Sequence, residues 1–230
     1  MATQTFFFYD LETTGFSSSE DRIMQFAGQR TDMELKPIGE PVNQLIKLTP
    51  DVVPSPAAIL LTGITPQKTL EDGITEAEFL KTFHGEISIP GTIFVGFNSI
   101  RFDDEFIRNL NYRNLRDPYE WAYADGRSRW DILDLARITR ALRPDGIKWP
   151  MGKDKDGKPK VTNRLGELAA TNDLLHESAH DALSDVLATI EVAKLIRTKQ
   201  PKLFEFMLGV RSKKDVLGVV NGGKPFVYTS

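Results

Sequence analysis

The sequence predicts an α/β protein with a mixed β-sheet flanked by helices. Three strand-like segments, at residues 6–9, 22–32 and 41–48, are separated by short turns, which indicates an antiparallel meander. A fourth strand at 92–97 leads directly into a helix at 98–109. Strands first, and then alternation of strand and helix, favour a mixed sheet with helices packed against it.

Apolar spacing and end signals predict the other helices. Pro56 begins a short helix that ends just before Gly63, and Thr75 with Glu78 matches a capping box at the start of the next helix, 75–86. Four further helices are predicted at 131–142, 164–171, 179–197 and 201–208. The predicted irregular or strand-like pieces are the loop opened by Thr65 and Pro66, the connection 111–129, the exposed turn or hairpin tip 153–160 and the strand-like 226–228.

The composition indicates one globular domain of 230 residues, 40% hydrophobic and 27% charged. The absence of cysteine excludes disulfides and thiolate chemistry, and three histidines argue against a His-rich zinc site. No apolar run approaches the roughly 20 residues that span a bilayer, and the first residues lack signal-peptide features. We therefore expect a cytoplasmic protein without membrane contact, and we take a monomer as its working state.

Basic residues are concentrated in one region although the net charge is −3. Residues 101–164 carry 15 basic and 11 acidic side chains, interleaved with Trp121, Tyr123, Trp130 and Trp149. Such a mixture suits single-stranded nucleic acid, which needs phosphate neutralisation and base stacking. An ordinary solvated loop region is the alternative.

Two carboxylates stand at the end of the first strand. The run FFFYDLETTG begins with four aromatic residues, typical of a strand buried on both faces, and continues into Asp10 and Glu12. Residues i and i+2 of a strand point to the same side, so both carboxylates project from one face. Two buried like charges are costly unless a cation lies between them, and a hard divalent ion with oxygen ligands fits. A surface turn with Asp10 as a cap is the alternative.

Asp103 follows the fourth strand by about one helical turn. The carboxyl ends of central strands are where such sheets bind ligands, so Asp103 is expected near the edge that carries Asp10. Asp103 and Asp104 can instead serve only to stabilise the start of the helix, since helix N-termini favour acidic residues.

His180 and Asp185 form the last candidate pair. His180 is predicted at or near a helix start, after Ser178 as a cap. Asp185 lies about one and a half turns further on, beside the core-facing Ala182 and Val186, and a carboxylate there needs a partner. His180 can act as a general base over the site, or it can be a surface or capping residue.

Together these residues make a specific pattern. Asp10, Glu12, Asp103 and Asp185, with His180 five residues before the last, match the DEDDh pattern of 3′→5′ exonucleases, and the chain resembles that superfamily. The stretches that resemble the catalytic domain of the bacterial exonuclease I family lie at 10–15, 61–66, 97–105, 129–131, 141–150 and 199–204. The resemblance covers about residues 5–210 and implies a ribonuclease-H-like fold, a mixed five-stranded sheet flanked by helices.

The resemblance also implies two-metal phosphodiester hydrolysis with Mg²⁺, for which Mn²⁺ substitutes. Asp10 is expected to bridge both ions, while Glu12 and Asp185 complete the site that holds the nucleophilic water. Asp103 is expected to act on the second ion, directly or through water, and His180 to take the proton from the attacking water. Glu12 is also expected to contact the terminal 3′-OH.

Substrate contacts are implied by the same resemblance. We expect Leu61 or Ile64 to stack on the terminal base, the backbone around Leu11 and Thr13 to hold the last nucleotide, and Arg164 to contact phosphate. The full substrate-contacting set is Leu11, Glu12, Thr13, Leu61, Ile64, Phe102 and Arg164. Weaker phosphate-contact candidates are Arg101, Arg129 and Lys148.

The expected substrate is single-stranded DNA with a free 3′ end, cut to 5′-mononucleotides in DNA repair or recombination, with single-strand-binding protein as a possible partner. We assign residues 1–210 to the exonuclease domain and 211–230 to a tail or the start of a second domain, because exonuclease I family members continue past this size. The alternatives are an oligoribonuclease, a ribonuclease or a proofreading exonuclease with the same five residues. A more remote alternative is a nucleic-acid-binding module without catalysis.

Overall fold

The computed structural model describes residues 3–174 and 181–227. A mixed five-stranded sheet forms its centre, as the sequence predicts. Its strands are β1 (Thr5–Thr13), β2 (Ile23–Thr31), β3 (Val42–Leu45), β4 (Thr92–Gly96) and β5 (Ser128–Asp131). They lie in the order β3-β2-β1-β4-β5; β1 with β2 and β2 with β3 pair antiparallel, whereas β1 with β4 and β4 with β5 pair parallel. A separate hairpin consists of β6 (Met151–Lys153) and β7 (Pro159–Val161), and it confirms the hairpin expected around 153–160.

Helices pack on both faces of the sheet. The helices within the described residues are α1 (Pro56–Thr62), α2 (Pro66–Asp72), α3 (Glu76–Thr82), α4 (Asp103–Arg113), α5 (Ile132–Leu142), α6 (Leu165–Thr171), α7 (Ala182–Lys199), α8 (Pro201–Gly209) and α9 (Lys213–Val220). A π-helical turn (Phe83–Ile87) extends α3, and a 3₁₀ turn (Ser99–Arg101) precedes α4. Within the described ranges no helix has the length and apolarity that crossing a membrane requires.

The aromatic run makes β1 the central strand, buried on both faces. Phe6 and Phe8 join one core cluster, and Phe7, Tyr9 and Leu11 join the other. All five side chains are at most 5% exposed. Because alternate residues point to opposite faces, a run of apolar residues is needed to fill both clusters, which confirms the prediction for this strand.

Each cluster is closed by a helix that later supplies a site residue. On the face of Phe6 and Phe8, α7 contributes Ala182 and Val186. On the opposite face, α4 contributes Phe106, with Ile107 and Leu110 beside it. The core therefore fixes where the first turns of α4 and α7 lie relative to β1.

Local signals predicted several elements correctly. Thr75 and Glu78 form the reciprocal capping box at the start of α3. Gly63 follows α1 with a φ of 69°, a left-handed conformation that favours glycine.

Other expectations are wrong. The loop expected after Thr65 is helix α2, because Thr65 accepts from the Lys68 N–H and Pro66 occupies the first helical position. The connection 111–129 ends in β5, whose pairing with β4 is not visible in local sequence. The strand expected at 226–228 is absent from the described residues 226–227, and the preceding helix α9 was not predicted.

Gly28→Ala should reduce the free energy of unfolding by about 1–3 kcal/mol, the usual cost of overpacking a core. Gly28 pairs with Tyr9, and a Cβ on it would lie 2.4 Å from Cε1 of the Phe7 ring. Urea unfolding followed by tryptophan fluorescence measures the change. Gly85→Ala is the control, since no heavy atom lies within 4 Å of the added Cβ there, and equal effects of the two substitutions would contradict the packing described for β1.

Candidate metal centre and nucleic-acid site

The site lies where β1 extends past its parallel neighbour. The pairing of β1 with β4 ends at Phe8, whereas its pairing with β2 continues to Thr13. The start of α4 occupies the side of β1 beyond β4, where the Leu11 N–H donates to Asp103 Oδ1 at 3.2 Å. This is the switch between antiparallel and parallel pairing, where sheets of this kind bind ligands.

Three carboxylates converge at this place. Asp10 and Glu12 project from one side of β1, as the i and i+2 spacing predicts, and Asp185 lies in the first turn of α7 above them. One oxygen atom from each of the three residues lies within 4.8 Å of the other two. Among the described residues this is the group whose ligand atoms are close enough to hold a single metal ion. Sequence reasoning selected all three.

Burial and repulsion by neighbouring carboxylates raise the pKa values of Asp10 and Glu12. Burial first, and then the Asp185 and Asp181 carboxylates, raise the pKa of Glu12 to about 8. Burial and the carboxylates of Asp103, Asp185 and Glu12 raise the pKa of Asp10 well above its usual value. Because the neighbouring charges that raise these pKa values are all negative, a bound divalent cation would lower both pKa values. Carboxylate oxygens are also the ligands that Mg²⁺ prefers. The donor set therefore fits such an ion.

Asp103 lies beside this group rather than within it. Its side chain is 4% exposed and reaches β1 from α4, on the opposite face of the sheet from α7. One of its oxygens accepts the Leu11 N–H. Burial, with the neighbouring Asp104 carboxylate, raises the pKa of Asp103, and its backbone hydrogen bonds oppose that rise. The structure thus brings three of the four predicted acids into one cluster and places the fourth next to Asp10.

Sequence reasoning missed a buried network next to these acids. The Tyr9 hydroxyl and the Arg129 guanidinium both donate to the Asp104 carboxylate, which is 1% exposed. Asp104 is therefore more than an acid at a helix start, and Arg129 forms an ion pair with it. Consecutive acids of α4, Asp103 and Asp104, bind the two residues that flank Asp10 in β1. The signal available in the sequence was a single tyrosine in a phenylalanine run.

Asp131 holds the segment that leads into α4. Its carboxylate accepts from the backbone N–H groups of Asn98, Ile100 and Leu133, at 2.9, 3.2 and 2.9 Å. One side chain therefore caps α5 and fixes the turn before Asp103. The sequence analysis placed Asp131 at the start of a helix and within the family-like stretch 129–131, without these contacts.

His180 lies outside the described residues, as does Ser178, the predicted cap. The cap of α7 is Asp181, which accepts from the Ser184 N–H at 3.3 Å and from Gln25 Nε2 at 3.2 Å. Gln25 pairs directly with Glu12 across β1 and β2. The start of α7 is therefore tied to the strand next to the site.

The two candidates for the terminal-base contact differ sharply. Leu61 on α1 is 53% exposed, whereas Ile64 is 3% exposed and packs with Met24 and Leu48. Leu61 is therefore available to a ligand, and Ile64 is part of a small core.

The other predicted substrate contacts surround the acids. Leu11 and Thr13 are buried in β1, and the Thr13 hydroxyl donates to the Gly15 carbonyl at 2.7 Å. Phe102 is half-buried immediately before Asp103. Arg164 precedes α6 with 84% of its side chain exposed, and it lies 3.5 Å from Glu167.

A cleft of about 970 Å³ begins at Asp185. Asn98 and Phe97, at the end of β4, line it on one side, and the β6–β7 hairpin lines it on the other. The basic side chains that line the cleft are Arg137, Lys153, Lys160 and Arg164. A basic cleft that opens at a carboxylate cluster suits a polyanion whose end reaches bound metal.

Divalent-ion affinity should rise between pH 6 and pH 9. The ion must displace protons from carboxyl groups whose pKa values are raised, to about 8 for Glu12, so acid competes with metal. Calorimetric titration of Mn²⁺ in two buffers of different ionisation enthalpy should show net proton release at pH 7. Glu12→Gln should reduce both the release and the affinity, whereas Glu40→Gln, in the exposed turn at the other end of the sheet, should change neither. A pH-independent affinity would contradict the electrostatics described above.

Comparison with known proteins identifies the family. The exonuclease family model RNase_T matches residues 7–193. Exodeoxyribonuclease I of Haemophilus influenzae is 47% identical over 98% of this chain and 47% of its own length. The Escherichia coli protein of that name is 44% identical, again over 98% of this chain and 47% of its own length. The chain thus spans about half the length of the curated relatives it matches.

Solved structures agree. Exonuclease I of Methylocaldum szegediense is similar with a TM-score of 0.89, at 51% identity over 96% of this chain and 46% of that one. Escherichia coli exonuclease I with a dA16 oligonucleotide gives a TM-score of 0.88, at 45% identity over 94% of this chain and 45% of that one. A zinc-bound Escherichia coli ExoI–ssDNA complex gives a TM-score of 0.88, at 43% identity over 94% of this chain and 45% of that one. An ExoI/SSB-Ct complex gives a TM-score of 0.87, at 43% identity over 95% of this chain and 46% of that one.

The sheet order and the flanking helices therefore make the predicted ribonuclease-H-like fold. The chain belongs to the RNase_T exonuclease family, and within it to the DEDDh exonucleases close to bacterial exonuclease I.

Proposed function

We propose that this chain is the catalytic part of a metal-dependent 3′→5′ exonuclease that releases 5′-mononucleotides from single-stranded DNA. The observation that carries the proposal is the convergence of Asp10, Glu12 and Asp185 within 4.8 Å at the end of β1. Identity of 44–47% to exodeoxyribonucleases I supports DNA as the substrate. We also propose a role in DNA repair or recombination.

Asp10, Glu12 and Asp185 would hold a divalent ion, and Asp103 would serve a second one from its place beside Asp10. We propose Mg²⁺, with Mn²⁺ as a substitute, because the donors are hard carboxylate oxygens. When bound, such ions supply an activated water and stabilise charge on the leaving 3′ oxygen. Metal dependence is common to the family, and one relative has been solved with zinc.

Side chains of the protein would orient the reacting groups and remove the proton of the attacking water. Asp103 is held by the Leu11 N–H, and its negative charge raises the pKa of Asp10, so its carboxylate lies near that residue. We assign His180 as the general base that takes the proton of the attacking water, and Glu12 as the contact to the terminal 3′-OH. A neutral imidazole is suited to that proton transfer near pH 7.

The bound DNA strand would be contacted on both sides of the acidic residues. The exposed Leu61 supports a contact to the terminal base better than the buried Ile64 does. Arg164, which is 84% exposed in the basic cleft, supports a phosphate contact there. Leu11, Thr13 and Phe102 would line the place of the last nucleotide. The Leu11 N–H is already donated to Asp103, so hydrogen bonds to the nucleotide must come from neighbouring groups.

We propose residues 1–210 as the exonuclease domain and 211–230 as a tail or the start of a second domain. The described residues 213–220 form α9 without a buried side chain, which supports the boundary. A relative complexed with SSB-Ct supports single-strand-binding protein as a partner. A monomeric state and a cytoplasmic location stay predictions from the sequence.

The decisive experiment follows the shortening of DNA and RNA oligonucleotides of one sequence, each labelled at the 5′ end. With Mg²⁺ the chain should shorten single-stranded DNA from its 3′ end, and faster than RNA. EDTA or Asp10→Asn should reduce release to background while circular dichroism stays unchanged. Glu40→Gln is the matched control. Faster RNA cleavage would favour the ribonuclease alternative, and activity that survives EDTA would refute the metal mechanism.

His180→Ala should lower turnover by about 10²–10⁴-fold, the usual contribution of a general base. Its affinity for Mn²⁺, measured by calorimetry, should stay within a few-fold of the parent, because a base does not hold the ion. Loss of Mn²⁺ binding would instead make His180 a ligand or a structural residue.

A further inference from the structure

An exposed aromatic side chain lies next to the acids without a role in the proposals above. Phe16 follows β1 by three residues and is 89% exposed. Its ring contacts Phe102 at a centroid distance of 6.3 Å and an angle of 62°, and Phe102 contacts Phe106 at 5.0 Å. Phe106 is 1% exposed, so a row of three rings runs from the core to the surface.

The loop that carries Phe16 is held by hydrogen bonds on both sides of it. The Asp21 carboxylate accepts from the Thr14 hydroxyl at 2.7 Å and from the Ser17 N–H at 2.9 Å. Thr14 and Arg22 also bond through their backbones at 2.9 Å. At Gly15 a Cβ would lie only 2.5 Å from Asp21 Oδ2, so the loop closes tightly against that carboxylate. The position of Phe16 is thus set by the fold.

The row of rings ends beside the site. Phe102 immediately precedes Asp103, and Asp103 is hydrogen-bonded to Leu11 of β1. The loop is also joined to α4, because Asn109 Nδ2 donates to Ser18 Oγ at 3.3 Å. Phe16 is therefore attached to two of the three elements that supply acids, β1 and α4.

We propose that Phe16, supported by Phe102, is a stacking platform for an unpaired base within the last three nucleotides of the bound strand. This proposal rests on the proposed function for the identity of the ligand. An open phenyl ring gives a base a π-face, and such stacking tolerates any sequence. The fixed loop and the ring beneath it mean that little conformational freedom is lost when the base binds. Unpaired bases are available in a single strand and not in a duplex, so the platform favours single-stranded ends.

The test compares Phe16→Ala, Phe16→Leu and Phe16→Trp with the parent chain. Ala and Leu should raise KM for a single-stranded oligonucleotide by about 5- to 100-fold, the range of one lost stacking contact, and Trp should restore it. The change in kcat should be smaller, since Phe16 does not contact the reacting atoms. Phe206→Ala is the control, because Phe206 is 55% exposed on α8, beyond the C-terminal end of α7, whereas Asp185 lies in the first turn of that helix.

Abasic substrates give the second readout. A tetrahydrofuran nucleotide at one of the last three positions should raise the parent's KM and cancel the difference between the parent and Phe16→Ala. An unchanged KM in Phe16→Ala, or a loss of equal size with every abasic substrate, would overturn the platform while leaving the proposed function intact. A parent chain that releases no nucleotide and binds no single strand would refute the proposed function, and the platform with it. If Phe16→Leu gave a KM as low as that of Phe16→Trp, the contact would be a general apolar one, and this result would also overturn stacking.

Discussion

Repulsion among closely spaced carboxylates is the constraint on which this structure depends. Asp10 and Glu12 lie on one side of a central strand, and Asp185 is brought against them from a helix. Ionisation there is unfavourable, as the raised pKa of Glu12 shows. A folded-state pKa above the unfolded value means that protonation stabilises the fold, so without a cation stability falls as the pH rises towards and through 8. The packing of β1 must offset that cost.

The aromatic run offsets it by filling both faces of β1. Phe6 and Phe8 fix the sheet against α7, while Phe7 and Tyr9 fix it against the opposite cluster. The acidic residues therefore come from both faces of the sheet: Asp185 from α7 on one face and Asp103 from α4 on the other. They meet near the end of β1, which lies between the two helices. Because large buried rings cannot shift without opening cavities, the spacing of the acids is held more firmly than surface loops could hold it.

The parts of this arrangement that local chemistry controls could be predicted from the sequence. The strand period places Asp10 and Glu12 on one side, and the capping box of Thr75 with Glu78 is complete within four residues. The network of Tyr9, Asp104 and Arg129 could not be predicted, because its members are 95 and 25 residues apart and meet only through the fold. The same reason explains β5, which is a strand because it pairs with β4.

The prediction of the four acidic residues was limited in the same way, because their spatial arrangement depends on the fold. The sequence pattern groups Asp103 with the other three acidic residues. It does not show that Asp103 reaches β1 from the opposite face of the sheet, or that one of its oxygen atoms accepts the Leu11 N–H. His180 was selected by its distance from Asp185 along the chain, and its position lies outside the described residues. The pattern thus predicts which residues belong together, whereas their arrangement follows only from the fold.

Charge pairing near the site bears on how a nucleic acid can be held. Arg129, a candidate phosphate contact from sequence, is an ion-pair partner of a carboxylate that is 1% exposed, and leaving that carboxylate unpaired would be costly. Arg101 is bonded to Asp134 on the surface, where such pairs are weak and exchange easily. Under the proposed function, positive charge for the phosphates would come mainly from the four basic side chains that line the cleft beginning at Asp185. The rings of Phe16 and Phe102 would add contacts to the bases, so the 3′ end would be held by stacking as well as by charge.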